Sequence, residues 1–185
     1  MNRQQWLTIG LAAAVLSTMA CSRYHVIPKE LEGQVDRTVN FEQIKESPSS
    51  ERGRLVVLGG EVLSATRLED KTQIEVLQLP LTDDLVPTTE RTESKGRFLA
   101  FDSGKEIVDP AILKEGTPVT IIGEVKGETT GRLGESEYHY PTLAIQDMTV
   151  WDKQSMVPRA YPYYGYYYGY GYRPYYFWSG SRVRS

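Results

Sequence analysis

Two adjacent glycines, Gly59 and Gly60, sit in the middle of an apolar run, RLVVLGGEVLSAT. Val and Leu at this density favour an extended strand. A glycine pair at its centre lets the strand coil sharply or bulge, so the sheet that contains it must bend. The next run, TQIEVLQLPL, places Ile74 and Val76 on one face and then changes phase, so that Leu77, Leu79 and Leu81 share the other. That change predicts a bulge near Leu77.

Further strands are expected at Arg97–Phe101, at Pro118–Lys126 and from Tyr140 to Trp151. The second of these, PVTIIGEVK, alternates cleanly and turns Val119, Ile121, Gly123 and Val125 inward, leaving Ile122 on the opposite face. Between the third and fourth strands, Asp109 as N-cap, Pro110 at the first helical position and Gly116 as C-cap bound a short helix. A glycine-rich connection, Gly127, Gly131 and Gly134, precedes the last strand, and Pro141 keeps its beginning at an edge or bulge. The fold class is therefore mainly β: a small five-stranded OB-like Greek-key barrel with one short helix. A small open β-sandwich is the alternative.

Around this body the composition changes twice. Residues 1–20 run from a single positive charge, Arg3, through an apolar stretch to small residues, the order of a secretory signal peptide and too short to span a bilayer. Cys21, the only cysteine, follows Ala20 at the cleavage point, as in a bacterial lipoprotein signal, although Thr18 stands where an aliphatic residue is usual. Acyl chains on Cys21 would anchor the chain stably and remove an oxidisable thiol. Ser22, which is not aspartate, is the sorting residue that points to the outer membrane. Residues 21–53 form the anchored leader, with a short helix that Asn40 begins, paired with Gln43 in a capping box, and Pro48 ends. The leader is expected to hold the body a little away from the membrane.

Residues 54–156 are the barrel body, and 157–185 a Tyr/Gly/Arg-rich low-complexity tail. From Ser22 to Met156 there are 16 basic and 24 acidic residues, whereas the tail has ten tyrosines, four arginines and no acid. The acidic body disfavours nucleic acid as a partner. The tail holds too few aliphatic residues to build a core and is expected to be flexible. Its candidate interaction residues are Tyr164, Tyr167, Tyr170, Arg173, Tyr176 and Trp178, whose rings stack and whose cations meet anionic groups such as those of peptidoglycan or an envelope protein. A passive terminus is the other reading.

Catalytic motifs are missing. The chain contains no GxSxG elbow, no phosphate-binding GxxxxGK[ST] loop and no HExxH. His25 and His139 lie too far apart in sequence to suggest a metal site. The acid pairs Asp83/Asp84 and Glu135/Glu137 read as solvated surface, and alternation turns Glu61 and Glu75 outward with no assigned role. No enzyme activity, cofactor or metal is expected.

CSRYHVIPKEL, GRLVVLGGEVLSAT and TQIEVLQLPL, in this order after a lipoprotein signal, resemble the Slp family of starvation-inducible outer-membrane lipoproteins over roughly Cys21–Asp152. The resemblance implies an outer-membrane lipoprotein induced in stationary phase or under starvation, with a biochemical activity that the family does not define; beside it, the residues favour a lipid-anchored barrel on the periplasmic face with a structural or interaction role in the envelope. It supplies no catalytic residues. The alternative role is an OB-like binding module for an oligosaccharide or small envelope ligand, and Phe98, Phe101, Tyr138 and Tyr140 are the aromatics that could build its platform. Burial of those rings would weaken that alternative.

Overall fold

The computed structural model describes residues 25–104 and 107–153. Five strands, β1 (Leu55–Arg67), β2 (Thr72–Leu79), β3 (Arg97–Asp102), β4 (Pro118–Leu133) and β5 (Ser136–Val150), close into a barrel in the order β1-β2-β3-β5-β4. All neighbours are antiparallel except β3 and β5, which run parallel through Leu99–Phe101 and Thr142–Ala144. This is the expected OB-like Greek-key barrel.

Alternation fills the interior. Val56, Leu58 and Val62 from β1, Ile74 and Val76 from β2, Phe98 and Ala100 from β3, Val119, Ile121 and Val125 from β4, and Leu143, Ile145, Met148 and Val150 from β5 form one buried cluster. Three bulges keep the apolar set inward while the sheet bends. On β5 the inward residues change from Leu143 and Ile145 to Met148 and Val150 across an extra residue, Gln146. On β4 the extra residue is Lys126.

The third bulge corrects the reading of β2. It lies on the partner strand, where Leu63 is skipped between the Val62↔Val76 and Ser64↔Glu75 pairs. β2 keeps one phase from Thr72 to Gln78, and Leu79 is buried as well. Leucines on both faces imitate a phase change when a strand is covered on both sides. The glycine pair itself stays in regular register and carries no bulge; it serves close approach instead. A Cβ on Gly60 would collide with the Leu77 carbonyl oxygen and Val76 Cγ1, and one on Gly59 with the Leu81 side chain. β1 therefore passes closer to β2 than any larger residue allows.

Two expectations about connections need correction, the first only in part, since the Asp109 cap and the Pro110 start are as expected. The residues Asp109–Gly116 form only a single 3-10 turn, Pro110–Ile112, with Asp109 accepting from Ala111 N–H (2.9 Å) and Leu113 at its C-terminus in place of Gly116. The connection is held instead by Asp102, buried, which accepts from Val108 N–H (2.7 Å), and by Thr72 Oγ1, which donates to the Val108 carbonyl (2.7 Å). The glycine-rich stretch after Val125 is not a loop either. β4 and β5 stay paired out to Leu133↔Ser136, with Gly134 at φ +63° in the turn.

The leader packs onto the body. Helix α1 (Lys29–Glu32) is followed by Val35, which bridges Leu55 in parallel while Asp36 N–H donates to the Leu55 carbonyl (2.7 Å). Bonds from the Thr38 hydroxyl and amide, with help from Arg54, hold the Asp36 carboxyl at about 2. Helix α2 (Phe41–Glu46) starts at the expected Asn40–Gln43 capping box. Its Phe41 and Ile44, on one face, join the core cluster, and the Phe41 and Phe98 ring centroids lie 6.0 Å apart. Phe41 and Ile44 of the leader thus belong to the folded core, which the reading of the leader as a spacer did not anticipate.

Candidate functional site

Two clusters of polar and aromatic side chains lie outside the core. The first covers the outer faces of β2, β3 and the β4–β5 hairpin. With Ile74 and Val76 inside, β2 turns Glu75 outward, and with Phe98 and Ala100 inside, β3 turns out Arg97 and Phe101. Arg97 Nη1 donates to Glu75 Oε1 at 2.8 Å, and the Tyr140 hydroxyl donates to the same oxygen at 3.4 Å. Burial, followed by the Glu75 charge, raises the pKa of Tyr140. The Tyr138 ring meets Tyr140 edge-on at 4.6 Å, and its hydroxyl accepts the Arg97 N–H at 2.9 Å.

These contacts decide how much aromatic surface is free. Phe98 is wholly in the core and Tyr140 is 5% exposed. Phe101 and Tyr138 are half-buried, and each has an ammonium over its ring: Lys71 Nζ at 5.2 Å from Phe101 and Lys45 Nζ at 5.9 Å from Tyr138. A stacking ligand would have to displace these cations. The face is a bonded seam joining β2, β3, the hairpin and α2, and it offers little open platform.

The second cluster sits where the chain leaves the barrel. Glu61 was expected to face solvent, yet it is 7% exposed, because the long β2–β3 connection folds over it. Arg91, on that connection, holds both carboxylate oxygens, Nε to Oε2 at 3.0 Å and Nη2 to Oε1, and Lys153 Nζ stands 4.0 Å from Oε1. The Arg91 bonds keep the Glu61 carboxyl below its usual range despite its burial. Gly116 packs beside the pair, so that a Cβ there would sit 3.2 Å from Glu61 Oε1 and 3.1 Å from Lys153 Nζ. Nearby, buried Trp151 Nε1 donates to Thr120 Oγ1 (3.0 Å), which donates to the carbonyl of Leu85 (2.6 Å), a residue in the left-handed region at φ 60°. Barrel end, long connection and chain exit are thereby locked together.

Neither Arg91 nor Lys153 was singled out by sequence, and a charged residue inside the apolar run of β1 was the available signal that a partner existed. Glu75 found Arg97 and Tyr140 in the same way. Asp147 was also missed: half-buried on β5 opposite Ile122, its carboxyl is pushed up to about 6 by burial, against a bond from Met148 N–H. The acid pairs Asp83/Asp84 and Glu135/Glu137 are exposed, and His139 lies between Glu128 (3.9 Å) and Glu137 (3.6 Å) on the hairpin. Among the described residues no group of three or more His, Cys, Asp or Glu side chains is placed to hold a metal ion. Cys21, Ser22 and the tail candidates Tyr164, Tyr167, Tyr170, Arg173, Tyr176 and Trp178 lie outside the described residues.

Comparison with known proteins bears on those segments. Residues 18–179 match the model of the outer membrane lipoprotein Slp family, a span that runs past Asp152 into the Tyr-rich stretch, further than the residues themselves suggested. An uncharacterized protein of Haemophilus influenzae is 29% identical over 124 residues, covering 67% of this chain and 66% of its own. The Escherichia coli outer membrane protein Slp is 30% identical over 152 residues, covering 81% of this chain and 77% of its own. The E. coli uncharacterized lipoprotein YeaY is 26% identical over 109 residues, 59% of this chain and 54% of its own. A chain with a lipoprotein-type cysteine ahead of a small, filled barrel, matched across nearly its whole length, is thereby placed: it belongs to the outer membrane lipoprotein Slp family.

Proposed function

We propose that this lipoprotein is a non-enzymatic structural or interaction protein of the cell envelope, active in starvation or stationary phase. Acyl chains on Cys21 hold it in the outer membrane, Ser22 directs it there, and the barrel stands on the periplasmic face. The Tyr- and Arg-rich residues Tyr164, Tyr167, Tyr170, Arg173, Tyr176 and Trp178 contact peptidoglycan or a neighbouring envelope protein. The observation that carries this reading is the state of the barrel: its interior is filled by apolar side chains, and its outer aromatics are engaged by Glu75, Arg97, Lys45 and Lys71. A body already occupied in this way favours contacts made through its surface and its tail.

The test compares the full chain, a version ending at Met156 and the Cys21→Ser variant. Mass spectrometry of the membrane fraction should find acylated Cys21 in the first two and an unprocessed chain in the third. In sedimentation with purified envelope fractions, truncation should reduce retention, and Tyr→Ser changes in the tail should reduce it more than Arg→Gln at high salt, because aromatic contacts resist screening. Equal retention with and without the tail overturns the assignment to the tail. The half-exposed rings of Phe101 and Tyr138 favour the second reading, an OB-like module for an oligosaccharide; loss of retention on Phe101→Ser with the tail intact would select it.

A further inference from the structure

The β4–β5 hairpin outruns the barrel. β1 pairs with β4 only through Leu55↔Glu124, and the Val125 amide and carbonyl are taken by Arg54 and Gly53. Beyond that point β4 keeps β5 on one side, through Leu133↔Ser136, and among the described residues no strand pairs with its other side from Lys126 to Leu133. An edge of this length presents a row of backbone donors and acceptors that another strand can use. Natural edges are blunted by prolines, charged side chains, bulges or a covering loop, and of these the stretch has the bulge at Lys126 and the charges of Lys126, Glu128 and Arg132. This one, KGETTGRL, has no proline and carries Thr129 and Thr130, which favour strands, and Glu128, Thr129, Thr130 and Arg132 are all exposed.

The order of its charges identifies what fits. If the edge meets a second copy of itself antiparallel, with Thr130 opposite Thr130, then Glu128 falls opposite Arg132 of the other copy, and Arg132 opposite Glu128. Residues 128, 130 and 132 share one face of the strand, since their partners on β5 are Pro141, His139 and Glu137. Directly opposite charges and Thr–Thr pairs are the favourable cross-strand combinations. Moving the two edges by two residues places Lys126 opposite Arg132, where like charges repel. Over Lys126–Leu133 the two registers pair equally many residues, and only the one centred on Thr130 is charge-matched.

We propose that the free edge of β4, Lys126–Leu133, is a self-association surface that pairs antiparallel with the same edge of a second copy about a twofold axis at Thr130, making one continuous sheet from two hairpins. Such an interface is isologous and closes at two copies, so it does not grow into fibres.

The test uses the full acylated chain in detergent micelles. Sedimentation equilibrium should give a dimer that dissociates on dilution. Thr130→Cys should form a disulfide-linked dimer under mild oxidation, because directly opposite Cα atoms are about 4.5 to 5.5 Å apart. Glu128→Cys alone should not, because its twin would be four residues away, roughly 13 Å. Glu128→Arg should weaken the dimer by about tenfold, and adding Arg132→Glu should restore it with an unchanged thermal transition. A monomer at every concentration, cross-linking at position 128 as efficient as at 130, or a dimer indifferent to Glu128→Arg would each overturn the proposal.

Discussion

Asp147 carries the least comfortable charge on the barrel. Its folded value of about 6 lies above the 3.8 of an exposed aspartate, so the folded state binds the proton more tightly than the unfolded chain does between these two values. The Asp147 contribution to stability is therefore greatest below about pH 4, falls as pH rises through the window to about 6, and is level above it, whereas Asp36 and Glu61, whose carboxyls are held low, contribute in the opposite sense as pH falls. Asp147→Asn should raise stability at pH 7.5 by an amount on the order of 2 kcal/mol and flatten the profile between pH 4 and 6; denaturant titrations across that range would check it. Ile122 is a second position where a single side chain corrects the pattern. Alternation turned it outward, yet it is 1% exposed, against 0% for Ile121. Ile121→Ala and Ile122→Ala should both cost about 2 to 5 kcal/mol, and a near-neutral Ile122→Ala measured by thermal unfolding would restore the one-sided strand.

Among the elements, β1 depends most on what is missing from it. The Cβ of Gly60→Ala would meet the Leu77 backbone, which cannot withdraw without breaking the β1–β2 ladder, whereas that of Gly59→Ala meets mainly the movable end of Leu81. Gly60→Ala should thus lower the melting temperature several times more than Gly59→Ala, and equal losses would argue that side-chain repacking, not backbone approach, governs both. The sequence made this strand legible because a dense run of Val and Leu surrounds the glycines. β4 was legible only to Lys126, because its extension, GETTGRL, offers no apolar rhythm and owes its extended form to pairing with β5. Burial of Glu61 was hidden for a related reason: it depends on where the β2–β3 connection and its Arg91 come to rest, and no local period records that. Helix α2 was legible through its cap, but the destination of Phe41 and Ile44 was not.

At the level of the whole molecule, closure rests on β5, which joins β4 along its full length and β3 along a short parallel stretch. Without it, β3 and β4 have a free side each and the core loses Leu143, Ile145, Met148 and Val150. A chain ending at Leu133 should therefore lack a cooperative unfolding transition, while one ending at Met156 should keep it, as circular dichroism melts would report. The parallel seam is also a contact between distant parts of the chain. Leu99 and Thr142 are far apart along the chain, and pairing so distant in sequence is slow to form because the intervening loop must be closed first. The strand that completes the barrel is among the last parts of the body to leave the ribosome, so the polypeptide stays open while most of it is being made. In an outer membrane lipoprotein, a barrel that cannot close until its last strand is made suits a chain that must first be passed across the inner membrane.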